Sequence, residues 1–296
     1  MPKLLVINSS NYVEGSINTF SYTLPQSVRF TNKSKVGVAS LSLYNSTFNI
    51  TSARGNNTIT FIWNVAVPTT EIFTIPDGYY SVSDLNYFLQ QKMIEKTFYM
   101  KANNSTNNVY FYEIVQNSVM YGIQLNSYYI PTSAQASSLG YTKPTEATWS
   151  FPATYQTPQL TFGTAFGNLI GFDSQTYPST IQATNKSIVS TKTPNISPVD
   201  SYTITCNLIN SKYSIPSNVL FSLPLSGSIG TLITHSTGEI IYSDIAPNIY
   251  SNIVIQFFDQ LFGKLDLKDK EIVLTLAIDD SGETSASSNS SNSYQP

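Results

Sequence analysis

The sequence predicts an all-β protein, built as a sandwich or a barrel, and three observations support this fold class. Residues 202–278 divide into six short strand-like segments separated by Pro, Gly and Asn. The last segment alternates strictly, and its apolar residues share one face: Ile272, Leu274, Leu276 and Ile278. Such alternation is typical of a half-buried strand, and several strands at short intervals favour a sandwich or barrel. The composition also combines 20 Tyr and 16 Phe with only 11% charged residues.

Two further strands are predicted near the beginning of the chain. Phe20, Tyr22 and Leu24 alternate with hydroxyl residues before a proline. From residue 36 to residue 43 the apolar residues change phase. This change predicts a β-bulge near Ala39–Ser40, or burial on both faces.

The segment NITSARGNNTITFIW, residues 49–63, predicts a β-hairpin. Residues 55–57, Gly-Asn-Asn, would supply the turn. After the turn, alternate residues would share one face: Ile59, Phe61, Trp63 and Val65. A second hairpin is predicted from Val109–Val115 and Val119–Leu125.

One helix is predicted clearly, and it begins after Ser81. Ser81 and Asp84 have the spacing of a capping box. Helical spacing follows at Leu85, Phe88, Leu89, Lys92 and Met93, so the helix would pack an apolar stripe on the sheets. A short second helix is predicted near residues 165–170.

These elements predict a discontinuous core with an insertion. Residues 1–100 and 200–280 would form one sandwich, in which the strands of the first 65 residues join those after Tyr202. Residues 101–199 would form a β-rich insertion, because so long a structureless loop is unusual in a compact domain. The segment 281–296 lacks aliphatic residues, and we expect it to be disordered.

Residues that could perform chemistry are few. The single cysteine, Cys206, falls in phase with Tyr202, Ile204 and Leu208, which predicts a buried core thiol. The single histidine, His235, precedes Thr237 and Gly238, and we expect it in a solvated turn. With one His and one Cys a His-rich zinc site is excluded, and the sequence contains no P-loop, dinucleotide or nucleophile-elbow motif.

The acidic residues concentrate between Asp259 and Glu271. Asp266, Asp269 and Glu271 could supply oxygen ligands to calcium, but lysines alternate with them and the EF-hand spacing is absent. We therefore expect a solvated connection between strands. The sequence identifies no catalytic, cofactor-binding or metal-binding residue.

Charge and apolar content restrict the partners and the location. The formal net charge is −3 and the pI is about 5.1, so there is no basic face for nucleic acid. The first residues do not resemble a signal peptide. Residues 114–142 carry no charge, but polar residues interrupt them too often for a membrane span. We expect synthesis in the cytoplasm without secretion.

Three segments have distinctive motifs: the LYNS turn at Leu43–Ser46, the PDGYYS segment with its helix at Pro76–Leu89, and the IQFFDQ-to-EIVLTL ending at Ile255–Leu276. These segments resemble the penton (minor capsid) proteins of virophages and Polinton-type elements. With the segments around them, they span about half of the chain. Residues 100–160 contain little that resembles this family.

This resemblance implies a single jelly roll that forms homopentamers at the five-fold vertices of an icosahedral capsid. Its neighbours there would be a double-jelly-roll major capsid protein, and a spike or host receptor could also dock on it. The implied location is the virion, and the family has no catalytic residues in this role.

Two other function classes stay open at this point. The first is a receptor- or glycan-binding β module of a viral spike, in which Trp63, Trp149 and tyrosines would stack on sugars. The second is a β-rich glycoside hydrolase, which needs two carboxylates across a cleft.

Overall fold

The alternating segments at the two ends of the chain form one β-sandwich. The computed structural model describes residues 2–103, 106–225 and 227–280, and the chain divides into two units. The first unit comprises the residues before Phe48 and after Pro198, and the second is Phe48–Pro198. With strands numbered in chain order, the first unit contains β1 (Lys3–Asn8), β2 (Thr19–Phe30), β3 (Lys35–Tyr44), β14 (Ser201–Cys206), β15 (Val219–Pro224), β16 (Leu232–Ser236), β17 (Tyr242–Asp244), β18 (Asn248–Phe258) and β19 (Ile272–Asp279).

The strand order in the first unit is that of a jelly roll. One sheet, which we call the first sheet, has the order β1-β19-β3-β16, with β17 also paired to β3. The second sheet has the order β15-β14-β18-β2. If β16 and β17 count as one interrupted strand and the strands are lettered B to I, the sheets read B-I-D-G and C-H-E-F. This arrangement of two Greek keys is a single jelly roll. The structure therefore confirms the predicted fold class.

Apolar residues from the facing sides of both sheets fill the interior of the sandwich. Leu41 and Leu274 from the first sheet and Ile204 and Ile255 from the second belong to one buried cluster. Each lies at an alternate position of its strand, as the period of two requires. The predicted bulge also exists, because β19 pairs Thr275 with Ser40 and Leu276 with Val38 and so bypasses Ala39.

The second unit has its own sheets and helices. Its strands are β4 (Thr58–Trp63), β5 (Thr69–Thr74), β6 (Met100–Ala102), β7 (Asn108–Val109), β8 (Tyr112–Asn117), β9 (Gly122–Ser127), β10 (Tyr141–Thr142), β11 (Gln159–Phe162), β12 (Thr176–Tyr177) and β13 (Lys186–Val189). They form sheets in the orders β12-β11-β4-β5, β13-β9-β8 and β10-β6-β7. Its helices are α1 (Val82–Glu95), α2 (Ser133–Ser138) and α3 (Thr164–Ile170).

The helix predicted after Ser81 is α1, and its capping box is present. The Ser81 hydroxyl accepts from the Asp84 N–H at 3.2 Å, and the Asp84 carboxylate accepts from the Ser81 N–H at 2.9 Å. The Ser81 hydroxyl also donates to the Asp84 carboxylate at 2.6 Å, and this bond, together with that of the Ser81 N–H, lowers the pKa of Asp84, so the carboxylate stays ionised at the positive end of the helix. Leu85, Leu89 and Met93 are buried, as the helical spacing predicts. The short helix predicted near residues 165–170 is α3.

The boundary of the insertion differs from the prediction. It lies at Phe48, not at residue 101, so residues 48–100 belong to the second unit. Strand β4 pairs with β5 and β11, and does not join the strands after Tyr202. The buried face of β4 packs instead in a cluster with α1, Phe98 and Phe111. The alternation of β4 correctly predicts that one of its faces is buried. It does not predict which element packs on that face.

The first predicted hairpin is also wrong, whereas the second exists. Residues before Gly55 form a 3-10 turn, Ser52–Arg54, and the partner of β4 is the following strand β5. Gly55 ends that turn at φ 63°, in the left-handed region that favours glycine. The second predicted hairpin is formed by β8 and β9, a few residues later than predicted. The predicted disordered segment, 281–296, lies outside the described residues.

Candidate assembly surfaces

Cys206 lies on β14 and is fully buried in the core of the jelly roll, as its phase predicts. Burial raises the pKa of its thiol to about 12, although a backbone hydrogen bond at Leu208 lowers it slightly. The thiol is therefore protonated and unreactive in the folded chain, since the thiolate is the nucleophile.

His235 lies in a strand, and its prediction as a turn residue is wrong. It belongs to β16 and pairs with Leu41 of β3. Its ring contacts the Phe221 ring of β15, with 4.7 Å between centroids. Since β15 and β16 are edge strands of different sheets, this contact joins the two edges of the jelly roll. The residues around His235 are polar, so the sequence shows no apolar alternation that would predict a strand there.

The acidic segment between Asp259 and Glu271 connects β18 to β19. The Asp259 carboxylate accepts from the N–H groups of Leu261 and Gly263, at 2.9 and 2.7 Å. Asp266 pairs with Lys268 at 2.6 Å. Among the residues that the structure describes, no three acidic, His or Cys side chains converge as metal ligands.

The two tryptophans are not displayed for stacking. Trp63 is fully buried, and Trp149 is 7% exposed. Trp63 stacks on Phe98 with centroids 5.5 Å apart, and Trp149 donates its indole N–H to the Thr97 carbonyl at 2.7 Å. Both rings are structural parts of the second unit, so they do not form the sugar platform considered from the sequence.

The outward side of the first sheet, which we call the aliphatic face, is mapped by the strand registers. Its side chains alternate with the core residues of β1, β19, β3 and β16. In four rows across the sheet they are Tyr44 and Leu232; then Asn8, Val273, Ser42 and Thr234; then Val6, Thr275, Ser40 and Ser236; then Leu4, Ala277, Gly37 and Tyr242. In the fourth row Leu4 is exposed, but Ala277 is fully buried and Gly37 lies against Ile240 and Ile241 of the β16–β17 connection.

None of the four rows contains a charged side chain. Leu4 is 68% exposed and Val6 is 47% exposed, and Val273 and Leu232 are also exposed. Charges lie at the two ends of the face. At one end Lys35 lies between Asp279 and Asp244, and at the other Glu271, two residues before Val273, accepts from the Ser9 hydroxyl at 3.2 Å. Exposed aliphatic side chains in an uncharged central area are typical of the central part of a protein interface.

The outward side of the second sheet, which we call the hydroxyl face, is mainly polar and has a charged residue at one end, where Arg29 of β2 pairs with Ile249 of β18. Its other residues on β2, β14, β15 and β18 are Thr19, Ser21, Thr23, Thr203, Thr205, Ser222, Asn252, Val254, Gln256 and Phe258, of which Thr203 and Thr205 are buried. Gln256 donates to the Thr19 hydroxyl at 3.2 Å. The two outward faces of the jelly roll therefore differ in chemistry, one aliphatic and one rich in hydroxyl groups.

Loops at one end of the jelly roll surround a cavity of about 720 Å³. The cavity lies among the β2–β3, β14–β15 and β17–β18 connections, and its lining includes Asn32, Lys212 and Asp244. The loop after β14 also holds Tyr213 and Ile215, which are almost completely exposed. This end is a further surface on which a partner could dock.

The alternation of β19 predicts that Val273, Thr275 and Ala277 lie opposite its core residues, but the sequence does not identify the outward residues of β1. Residues 4–7 form a continuous apolar run, Leu-Leu-Val-Ile, in which nothing distinguishes the core side from the outward side. The register of β1 with β19 supplies that distinction, since Leu5 and Ile7 face Leu276 and Leu274.

No protein-family profile and no curated protein matches this sequence. Among solved structures, the chain is similar to the penton protein of mavirus, with a TM-score of 0.41 and 10% identity over 94% of this chain and 98% of that one. It is also similar to a chain of the cryo-EM structure of the Sputnik virophage, with a TM-score of 0.37 and 12% identity over 95% and 98%. The jelly roll itself is identified by its strand order.

Within the described part of the chain, no helix has the length and apolar character that a transmembrane crossing requires.

Proposed function

We propose that this chain is a viral capsid protein that forms the homopentameric penton at the five-fold vertices of an icosahedral particle. The observation that supports this proposal most is the jelly-roll order of the eight strands. Jelly rolls of this kind build viral capsids, lectins and cupins. The three segments that resemble virophage and Polinton pentons favour the first of these classes.

The interior of the jelly roll is filled, and this favours a function that uses its outer surface. The interior is filled by fully buried side chains from both sheets, including Leu274, Ile204, Ile255 and Phe257. A cupin-like function would use the interior of such a sandwich. A lectin-like function could not stack sugars on the two tryptophans, because both are buried. What the first unit offers is an outer surface suited to association.

The two outward faces fit the requirements of a ring. In a cyclic homopentamer each subunit contacts its neighbours through two different surfaces. The aliphatic face and the hydroxyl face are different, and the charged residues that the registers place on them, Lys35, Asp279 and Arg29, lie at the ends of the faces. Burying uncharged surface avoids the desolvation penalty that isolated charges carry.

The area of each outward face can be compared with the area that a stable subunit interface buries. Four strands about 4.8 Å apart and about six residues long, at 3.3 Å per residue, cover roughly 400 Å² in projection. A standard interface buries about 800 Å² per partner. We therefore assign the remaining area to the connecting loops. A double-jelly-roll major capsid protein would border the ring in the virion, and a spike or host receptor could dock on its outer end.

Lysine substitutions on the aliphatic face test the ring. We expect concentrated wild-type protein to sediment as a pentamer, and Val6→Lys with Val273→Lys to sediment as a monomer that retains the wild-type circular dichroism spectrum. Val67→Lys, at an exposed valine of the second unit, is the matched control and should leave the pentamer intact. A wild-type trimer, or a doubly substituted protein that still forms pentamers, would contradict this assignment.

A further inference from the structure

The turn between β8 and β9 displays three consecutive apolar side chains. Val119 is 93% exposed, Met120 is 66% exposed and Tyr121 is 80% exposed. Single apolar residues on a surface are ordinary, but a run of three at the end of a hairpin indicates a contact with something outside the chain. We call residues 118–121 the hairpin tip.

Hydrogen bonds hold the hairpin tip in this shape. The Asn117 side chain accepts from the Met120 N–H at 3.0 Å and donates to the Gln124 side chain at 2.8 Å. Tyr121 has φ 48°, a left-handed conformation that is unfavourable for an aromatic residue. Glycine or asparagine at position 121 would adopt this conformation at less cost, so Tyr121 occupies the turn at a local cost in backbone energy.

The surroundings of the hairpin tip are polar and almost neutral. No residue from 114 to 142 is charged. Amide side chains at Gln116, Asn117 and Gln124 form a collar around the base of the turn. The third strand of this sheet, β13, is followed by Lys192, whose charge is paired with Asp173 at 2.6 Å.

A groove of about 330 Å³ lies beside the tip and has a charge-free lining that includes Val82, Ile123 and Ile196. Ser118 and Tyr121 belong both to the tip and to this lining, so tip and groove lie on one flank of the second unit. Insertion of one copy's tip into another copy's groove would therefore join two copies by a two-fold axis. A ring needs two separate flanks, so this surface is not suited to the pentamer contact.

We propose that the hairpin tip inserts into the boundary of a zwitterionic phospholipid bilayer. Val119 and Met120 would enter the hydrocarbon edge, and Tyr121 would lie among the head groups, where aromatic residues with a polar end are favoured. The amide collar would remain in the head-group layer. The net charge of −3 and the paired Lys192 favour neutral over anionic lipid. Such a contact is peripheral, and repeated copies on a particle would strengthen it by avidity.

Flotation with phosphatidylcholine vesicles tests the proposal. We expect wild-type protein to float with the vesicles. Val119→Ser with Met120→Ser should reduce the bound fraction by roughly tenfold or more, because two aliphatic side chains no longer leave water. Val67→Ser, an exposed valine away from the tip, is the control and should bind as the wild type does. Vesicles containing phosphatidylserine should bind no more protein than neutral ones.

Two results would overturn the proposal. One is wild-type protein that stays unbound, and the other is a doubly substituted protein that floats as well as the wild type. A dimer in the absence of vesicles, lost on substitution of the tip, would assign the surface to a second copy instead. The proposal does not depend on the pentamer, since the tip substitutions should leave the sedimentation of the ring unchanged.

Discussion

Replacing Leu276 by alanine tests the core of the jelly roll. Leu276 is fully buried on β19, where Leu5 of β1 and Val38 of β3 are its register partners. Because β19 is hydrogen-bonded on both sides, its backbone is held and the surroundings can collapse only partly into the space left by the side chain. The change should therefore cost about 3–5 kcal/mol, the upper part of the range for buried Leu→Ala changes. Typical domains have a total stability of about 5–15 kcal/mol.

Urea unfolding followed by far-ultraviolet circular dichroism measures this loss. We expect a lower midpoint with an unchanged slope, since the surface exposed on unfolding stays the same. Val273→Ala is the matched control, because Val273 lies three residues earlier on the same strand and points outward. It should change the free energy of unfolding by about 0.5 kcal/mol or less. If Leu276→Ala lost less than about 1 kcal/mol, or if Val273→Ala lost as much, the assignment of inward and outward faces would be wrong.

Three other predictions concern single residues. Asn49→Ala should destabilise the second unit by about 2–3 kcal/mol in urea melts, because its buried amide bridges the backbone of Tyr80 and Ile196 and these groups would lose their partners. Ser81→Ala should cost about 1 kcal/mol by the same measurement, through loss of the α1 cap, while Ser81→Thr, which keeps the hydroxyl, should retain most of the stability. Cys206 should react with a thiol reagent at pH 8 only after unfolding. Since burial raises the pKa of Cys206 to about 12, its contribution to stability should be complete below the ordinary thiol pKa of about 8.5 and should disappear as pH rises from there toward 12. Cys206→Ala should remove that part of the pH dependence.

The strands that could be predicted from the sequence are those with a complete alternation. All six segments after Tyr202 are strands, and the bulge at Ala39 follows from a visible change of phase. Alternation shows that one face must be covered, but it does not identify the covering element, because hydrophobic burial is not directional. For that reason the alternation of β4 does not show that it packs in the core of the second unit. Strands of two or three residues, such as β7 and β10, are too short to show a period.

The candidate surfaces were harder to predict than the core. An apolar residue on an outward face and one in the core look the same in a sequence, as Leu4 and Leu5 show. Only the pairing of β1 with β19 separates them. For His235 the prediction fails for a different reason. Its polar neighbours in the sequence predict a turn, but the residue lies in the edge strand β16. The helix α2, SAQASS, has no apolar stripe and depends on its cap at Thr132.

The central claim, a penton at the vertices of a capsid, is tested most directly by locating this chain in purified particles. An icosahedral cryo-EM reconstruction should show five copies of the jelly roll around every five-fold axis, with the aliphatic face of one copy against the neighbouring copy. Density for the chain away from the five-fold axes, or its absence from the particles, would contradict the account.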